Sequence, residues 1–185
     1  IKKHMDMLGV GVLAVTAAMG GGIIRDLILG ALPPVAFVRP IYAGTAFAVA
    51  AVMFFFHRAF PEHSFQKLHA VFLYMDAIGL GAFTVVGVQK AITLYGFKHI
   101  FLLFTTGFLT GVGGGIMRDI FAGEIPGIFI KHFYACASVI GAGVCIVLWK
   151  PLGTGIAMTA GIFITTALRL CAAHFKWNFF RDRNT

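Results

Sequence analysis

The chain has 185 residues, of which 59% are hydrophobic and only 12% are charged, whereas soluble domains carry about 25% charged residues. Together with a mean hydropathy of +0.89, this composition excludes an ordinary soluble domain and indicates an integral membrane protein. The net charge of +8 does not indicate nucleic-acid binding, because the basic residues lie at the ends of apolar runs, where they suit anionic lipid headgroups. Membrane lipid is therefore an expected partner, and nucleic acid is not.

Six apolar runs follow one another along the chain, and each approaches the length of about 20 residues that a membrane-spanning helix needs. They lack the polar and apolar alternation of transmembrane strands, so we predict an all-α integral membrane protein. Residues 57–69 are predicted to be a polar loop, and residues 150–151 a tight turn. The predicted spans are 5–22, 41–56, 71–90, 97–115, 133–149 and 153–173.

Two segments that lie 93 residues apart repeat one motif. Residues 20–30 read GGGIIRDLILG and residues 113–123 read GGGIMRDIFAG, with identity at seven of eleven positions, and Pro33 matches Pro126 at the same offset. Three predicted spans lie between equivalent positions of the two copies. An odd number of membrane crossings reverses the direction in which the second copy crosses the membrane. We therefore predict an inverted repeat, an arrangement found in many transport proteins.

The repeat divides the chain into units. The second unit, residues 70–150, holds three predicted spans, whereas the first, residues 1–69, holds two; its first helix is therefore expected to lie upstream and to be absent from this chain. Residues 151–185 hold a last helix and a basic tail, which gives a plan of three plus three plus one helices. The bias of basic residues towards the side of both ends predicts a multi-pass protein of the inner membrane with a cytoplasmic C-terminus.

Three consecutive glycines are unusual in a membrane helix, because each costs about 1 kcal/mol relative to alanine. We predict that both helices break and kink at their triplets, with free carbonyls before the break and free amides after it, which marks a binding site or pore. The competing interpretation is close helix packing, and the two roles are compatible. The predicted hinge glycines are Gly20, Gly21, Gly22, Gly113, Gly114 and Gly115.

Each triplet is followed by an arginine and an aspartate, Arg25 and Asp26 in the first copy and Arg118 and Asp119 in the second. Ionisable groups near membrane depth are costly and usually functional. We predict that each arginine pairs with an aspartate, within its unit or across the repeat, that the pairs hold the kink and partly close a pore, and that a carboxylate attracts cations. The alternative is that both charges reach the headgroups as helix-end anchors.

Four more polar residues in the apolar runs are candidate pore residues. Asp76 is predicted to be a partner of Arg118 or part of a vestibule, with a polar residue at a helix start as the alternative. Thr16 and Thr110 precede the two triplets and are expected to add hydroxyl oxygens to a cation path. Arg169 lies in the last span and is expected to face protein or the pore rather than lipid.

The sequence lacks the residue sets that are typical of catalysis or metal binding. Its seven histidines are scattered without HxxxH or HExxH spacing, and its three cysteines lie in apolar runs without ligand spacing. GGGxxRD is not a phosphate loop, because no GK[ST] sequence follows it. We therefore expect neither an enzyme nor a cofactor, and no metal beyond transient monovalent cations.

The doubled GGGxxRD motif, the LG…PP and AGEIP stretches and the segment MDAIGLGAFTVVG together resemble the prokaryotic branch of the trimeric intracellular cation channel (TRIC) family. Its sequences are also grouped as an uncharacterised or "glycine transporter" family. The resemblance covers nearly the whole chain and implies seven helices, a homotrimer and, in each protomer, a hydrated pore for K⁺ and Na⁺ beside the two kinked helices. It also implies that the triplets are hinges and that the four Arg-Asp residues lie beside the pore. The absent first helix departs from that plan.

Three functions fit these patterns. The main prediction is a channel for monovalent cations, because bare carbonyls beside carboxylates suit cations. The alternative is a secondary transporter of a small amino acid such as glycine, since inverted repeats with broken helices also suit alternating access. The third is a structural or assembly protein without a pore.

Overall fold

The structure is a computed structural model that describes residues 6–59, 62–130 and 133–175, so the basic tail predicted at the end of the chain lies largely outside the described residues. The described ranges are helical and contain no strand, which confirms the predicted all-α class. The helices are α1 (Met7–Ile28), α2 (Val35–Val38), α3 (Ile41–Ala59), α4 (Glu62–Tyr95), α5 (Ile100–Phe121), α6 (Gly127–Ile130) and α7 (Tyr134–His174).

Most of these helices are built to lie in lipid. α1, residues Val71–Tyr95 of α4, α5 and α7 are each long and apolar enough to cross a membrane, and α3 carries the shorter apolar stretch Ile41–Phe56. Large apolar side chains face outwards, among them Phe101 and Phe163. An extensive outward apolar surface requires a lipid environment, since soluble monomers rarely expose one. The chain is therefore a multi-pass membrane protein.

α7 consists of two arms that fold back on each other. A straight helix of 41 residues would be about 60 Å long, twice the hydrocarbon core of about 30 Å. Gly153 has the non-helical angles φ 79° and ψ 167° just after Pro151, and a Cβ on Gly141 would overlap Thr165 Oγ1 in the second arm. The reversal lies at Gly153, just after the turn predicted at residues 150–151. With two arms in α7, each of the six predicted spans overlaps a helical segment.

α4 occupies the centre of the bundle and packs against α5 and both arms of α7. Glycines allow these helices to approach: a Cβ on Gly81 would lie 2.9 Å from the carbonyl oxygen of Ile162, and one on Gly107 would lie 2.6 Å from Val88 Cγ2. The side chains between the helices are fully buried, including Val88, Leu103 and Cys145. This packed core holds α4 and α5 beside α1, where the candidate site lies.

The predicted polar loop at residues 57–69 is wrong. α3 continues to Ala59 and α4 already begins at Glu62, so most of this segment is helical. Hydropathy reports where a helix leaves the membrane and not where it ends, because a polar helix is stable beyond the hydrocarbon region.

The predicted breaks at the glycine triplets are also wrong. α1 runs through residues 20–22 and α5 runs through residues 113–115 without leaving the helical conformation. The free carbonyls and amides expected at a break are therefore absent from both triplets. Glycine lowers helix propensity by about 1 kcal/mol per residue, and packing overrides a preference of that size.

Candidate functional site

The two glycine triplets face each other where α1 crosses α5. A Cβ on Gly21 would overlap the carbonyl oxygen of Thr110, and a Cβ on Gly114 would overlap that of Ala17. These contacts are reciprocal, because Thr110 and Gly114 follow Ala17 and Gly21 by 93 residues. The earlier residue of α1 meets the later residue of α5, so the helices are antiparallel at the crossing. Only glycine permits backbones to approach this closely.

The three positions of each triplet have different surroundings. Gly20 and Gly113 also face the opposite helix, where the ends of flexible side chains lie 2.6 and 3.0 Å from an added Cβ. Gly22 and Gly115 point elsewhere, with the nearest atoms 3.8 and 3.9 Å away. The first two glycines therefore serve helix packing, and the third leaves space.

That space belongs to a cavity of about 190 Å³ beside the crossing, large enough for several water molecules. α1, α4, α5 and the first residue of α7 line it. Seven predicted site residues are among the lining residues: Gly21, Gly22, Asp76, Thr110, Gly114, Gly115 and Arg118. The other seven predicted site residues lie outside this lining: Thr16, Gly20, Arg25, Asp26, Gly113, Asp119 and Arg169.

The first Arg-Asp pair closes the loop at the end of α1. Arg25 Nε donates to Asp26 Oδ1 at 2.8 Å, and the backbone N–H of Val35 donates to Asp26 Oδ2 at 3.0 Å. Gly30 adopts the left-handed conformation with φ 64°, and the N–H of Ala31 donates to the Asp26 carbonyl at 2.8 Å, which completes a helix-ending Schellman motif. Asp26 is fully buried, so its charge is compensated inside this loop.

The second pair forms the same structure at the end of α5. Arg118 Nε donates to Asp119 Oδ1 at 2.9 Å, and the N–H of Gly127 donates to Asp119 Oδ2 at 2.7 Å. Gly123 has φ 65°, and the N–H of Glu124 donates to the Asp119 carbonyl at 2.9 Å. We call each of these loops, residues 25–35 and 118–127, a hook. In both hooks the aspartate fixes the chain and does not line the cavity.

Asp76 is the one carboxylate among the residues that line the cavity. The Tyr134 hydroxyl donates to Asp76 Oδ1 at 3.4 Å, and Arg169 Nε lies 4.0 Å from Asp76 Oδ2. The guanidinium carbon of Arg169 also lies 5.0 Å from the centre of the Tyr134 ring, within the range of a cation–π contact. The predicted pairing of Asp76 with Arg118 is therefore replaced by a group of Asp76, Tyr134 and Arg169. Sequence reasoning missed Tyr134, which has no motif around it.

The two threonines before the triplets use their hydroxyls in the same way. Thr16 Oγ1 donates to the Val12 carbonyl at 2.8 Å, and Thr110 Oγ1 donates to the Thr106 carbonyl at 2.6 Å. Only Thr110 is among the residues that line the cavity. A Cβ on Gly87 would lie 2.6 Å from Thr110 Oγ1, so this hydroxyl packs against α4.

Comparison with known sequences gives the class first. The profile of a family described as "Glycine transporter" matches residues 1–58 and 73–150. The UPF0126 membrane protein of Vibrio cholerae is 35% identical over 179 residues, which cover 96% of this chain and 71% of that protein. The UPF0126 inner membrane protein YadS of Escherichia coli K12 is 35% identical over 185 residues, which cover 96% of this chain and 83% of YadS. The class is a family of multi-pass membrane proteins.

Solved structures make the assignment specific. The chain superposes with a TM-score of 0.87 and 37% identity on a structure from work on conductance through TRIC cation channels, covering 100% of this chain and 88% of that one. For a prokaryotic TRIC channel crystallised in 0.5 M KCl the TM-score is 0.84 and the identity 25%, and the match covers 96% of this chain and 87% of that one. For the TRIC trimeric intracellular cation channel orthologue from Rhodobacter sphaeroides the TM-score is 0.76 and the identity 27%, and the match covers 92% of this chain and 96% of that one. The chain belongs to the prokaryotic TRIC family, in which the UPF0126 and "Glycine transporter" sequences are grouped.

Substitution within one triplet tests the difference between its positions. We expect Gly21→Ala to lower the free energy of unfolding by about 1–3 kcal/mol, because its Cβ would overlap a backbone carbonyl that cannot rotate away. Gly22→Ala makes the same chemical change with 3.8 Å of space and should be neutral or stabilising. Thermal unfolding in detergent measures both variants. Equal losses in the two would contradict the packing role.

The hooks provide a second matched pair. We expect Asp26→Asn to destabilise the protein by about 3 kcal/mol, because the change leaves Arg25 without its charged partner in a buried loop. Asp119→Asn makes the same change where the arginine and aspartate side chains are 41% and 13% exposed, so solvent compensates and the loss should be smaller. Thermal unfolding of the two variants decides; a larger loss at Asp119 would refute this ranking.

Proposed function

We propose that the chain forms a passive channel for the monovalent cations K⁺ and Na⁺, which pass through the cavity between α1, α4 and α5. The observation that carries this proposal is the similarity over the whole chain, at a TM-score of 0.87 and 37% identity, to a TRIC cation channel. None of the relatives named above is described as an enzyme, and a non-catalytic role agrees with them.

The chemistry of the cavity supports the same proposal. Its polar lining includes the Asp76 carboxylate, Tyr134 and Thr110, together with the Arg118 guanidinium, which is paired with Asp119. The remaining wall is largely small or apolar. Oxygen is the ligand that hard cations prefer. A conduction site must hold an ion strongly enough to admit it and weakly enough to release it, and a single carboxylate in such a wall suits that requirement.

The two units are proposed to be an inverted repeat about a pseudo-twofold axis through the crossing of α1 and α5. Two observations support it: the contacts of Gly21 and Gly114 are reciprocal and antiparallel, and both helices end in the same hook. The boundaries proposed for the units are residues 1–69 and 70–150, with residues 151–185 as the added last helix and tail. Duplication of the motif then accounts for a cavity that lies at the crossing.

The relatives and the charge pattern support proposals for the assembly and the orientation of the chain. The Rhodobacter sphaeroides orthologue is described as trimeric, and we propose a homotrimer in lipid with one pore per protomer. The Escherichia coli relative is an inner membrane protein, and we place this chain in the same membrane. The basic residues of the predicted tail favour a cytoplasmic C-terminus.

A secondary transporter of glycine is not favoured, although one family description carries that name. The solved neighbours are described as cation channels. The uninterrupted α1 and α5 also lack the half-helix ends that bind the charged groups of an amino acid in broken-helix transporters.

Recordings from purified protein in planar bilayers test the channel. We expect single-channel steps in KCl and in NaCl and no saturable uptake of labelled glycine into proteoliposomes. Asp76→Asn, which removes the carboxylate charge of the cavity at nearly constant shape, should lower the unitary K⁺ conductance about twofold, equivalent to about 0.4 kcal/mol. Asp6→Asn is the control, since it removes a carboxylate at the N-cap of α1, outside the cavity lining. Glycine uptake without K⁺ steps would overturn the proposal.

A further inference from the structure

Beyond the cation pathway itself, the structure contains a buried positive charge that lies 4.0 Å from the cavity's carboxylate and outside the cavity lining. We infer that Arg169 is a built-in counter-cation of Asp76 and thereby sets how tightly the cavity holds a permeating cation. This inference rests on the proposed function, because it names a residue that tunes the same site. Arg169 is not among the lining residues, so it acts through Asp76 and not by touching the ion.

The two side chains differ in exposure and in their relation to the cavity. Asp76 is 28% exposed and lines the cavity, whereas Arg169 is only 5% exposed and lies outside the lining. The 4.0 Å from Arg169 Nε to Asp76 Oδ2 is too long for a hydrogen bond, and Oδ2 accepts none from the described residues. At this distance the guanidinium still reduces the negative potential at the carboxylate.

The surrounding contacts hold this separation. The ring of Tyr134 lies against the Arg169 guanidinium while its hydroxyl reaches Asp76. One turn from Arg169, Thr166 Oγ1 donates to the carbonyl of Ala77, the neighbour of Asp76, at 3.4 Å. The two charges therefore sit on two helices that are bonded to each other beside the pair. A mobile surface arginine would not give a fixed counter-charge, and this one does.

The other charge at the cavity is balanced separately. Arg118 lines the cavity, but its guanidinium is paired with Asp119 in the second hook at 2.8 Å. The positive charge that faces Asp76 at 4.0 Å is therefore that of Arg169. Burying an arginine in a membrane span is costly, and an apolar side chain at this position would avoid that cost. A carboxylate whose negative potential is reduced, by contrast, suits a conduction site, where an ion must leave as readily as it enters.

The test is the dependence of unitary conductance on K⁺ concentration in planar bilayers. For Arg169→Gln we expect the half-saturating K⁺ concentration to fall about fivefold, equivalent to about 1 kcal/mol, and the maximal conductance to fall as ions leave more slowly. Arg169→Lys keeps the charge and should stay near the wild type. In the double variant Asp76→Asn/Arg169→Gln the fivefold fall should vanish. A purely structural pair would change thermal stability without moving the half-saturating concentration.

Two results overturn the inference: an unchanged half-saturating concentration in folded Arg169→Gln, or a fall that persists when Asp76 is replaced by asparagine. If Arg169→Gln does not fold, Asp76→Asn decides, because the Arg169 charge then faces the site without the Asp76 carboxylate and selectivity for K⁺ over Cl⁻ in a KCl gradient must drop; unchanged selectivity refutes the role. Absence of K⁺ steps in the wild type overturns the proposed function instead. Thermal stabilisation by KCl relative to choline chloride, compared across the same variants, then tests the counter-cation, and equal stabilisation of all variants refutes it.

Discussion

The backbone contact between α1 and α5 at Gly21 and Gly114 is the constraint on which the remaining structure depends. Each glycine meets a carbonyl of the other helix, at Thr110 and Ala17, so any side chain at these positions would push the helices apart. Lipid tails are as apolar as leucine, so helices in a membrane associate through close packing and not through hydrophobic burial. The third glycine of each triplet leaves the adjoining wall without side chains. One motif thus supplies both the contact and the space of the cavity.

The two hooks share their local geometry but lie in different surroundings, so the site at the crossing is asymmetric. Asp26 and Asp119 fix the chain at the same distance beyond each triplet, so the two helix ends have the same local geometry. Their arginines meet different neighbours: Arg118 lies at the cavity that also holds Asp76, whereas Arg25 lines a separate pocket with residues of α2, α3 and α4. A repeated sequence motif therefore does not imply a repeated chemical role. Packing against non-equivalent helices assigns that role.

The sequence predicted the features that the membrane and the motif impose directly. The positions of the spans follow from hydropathy. The repeat singled out the triplets, and close helix packing was one of the two roles expected of them. The break at residues 20–22 was a wrong prediction. Low helix propensity is a local property, whereas the carbonyl group against which Gly21 packs belongs to another helix. The Asp76–Arg169 pairing was missed for a related reason: the two residues lie far apart in the sequence, and only the packing of α4 against α7 brings them together.

Continuous helices also change the physical basis of the proposed conduction. Had the triplets been broken, bare carbonyls would have carried the interaction with a cation. With the helices intact, that interaction falls to side chains, and Asp76 is the only carboxylate among the described residues that line the cavity. A lone carboxylate in a low-dielectric site binds cations strongly and would trap them. The proposed pathway through this cavity therefore needs the carboxylate to be partly balanced, and we infer that the buried Arg169 guanidinium meets that need from outside the cavity lining.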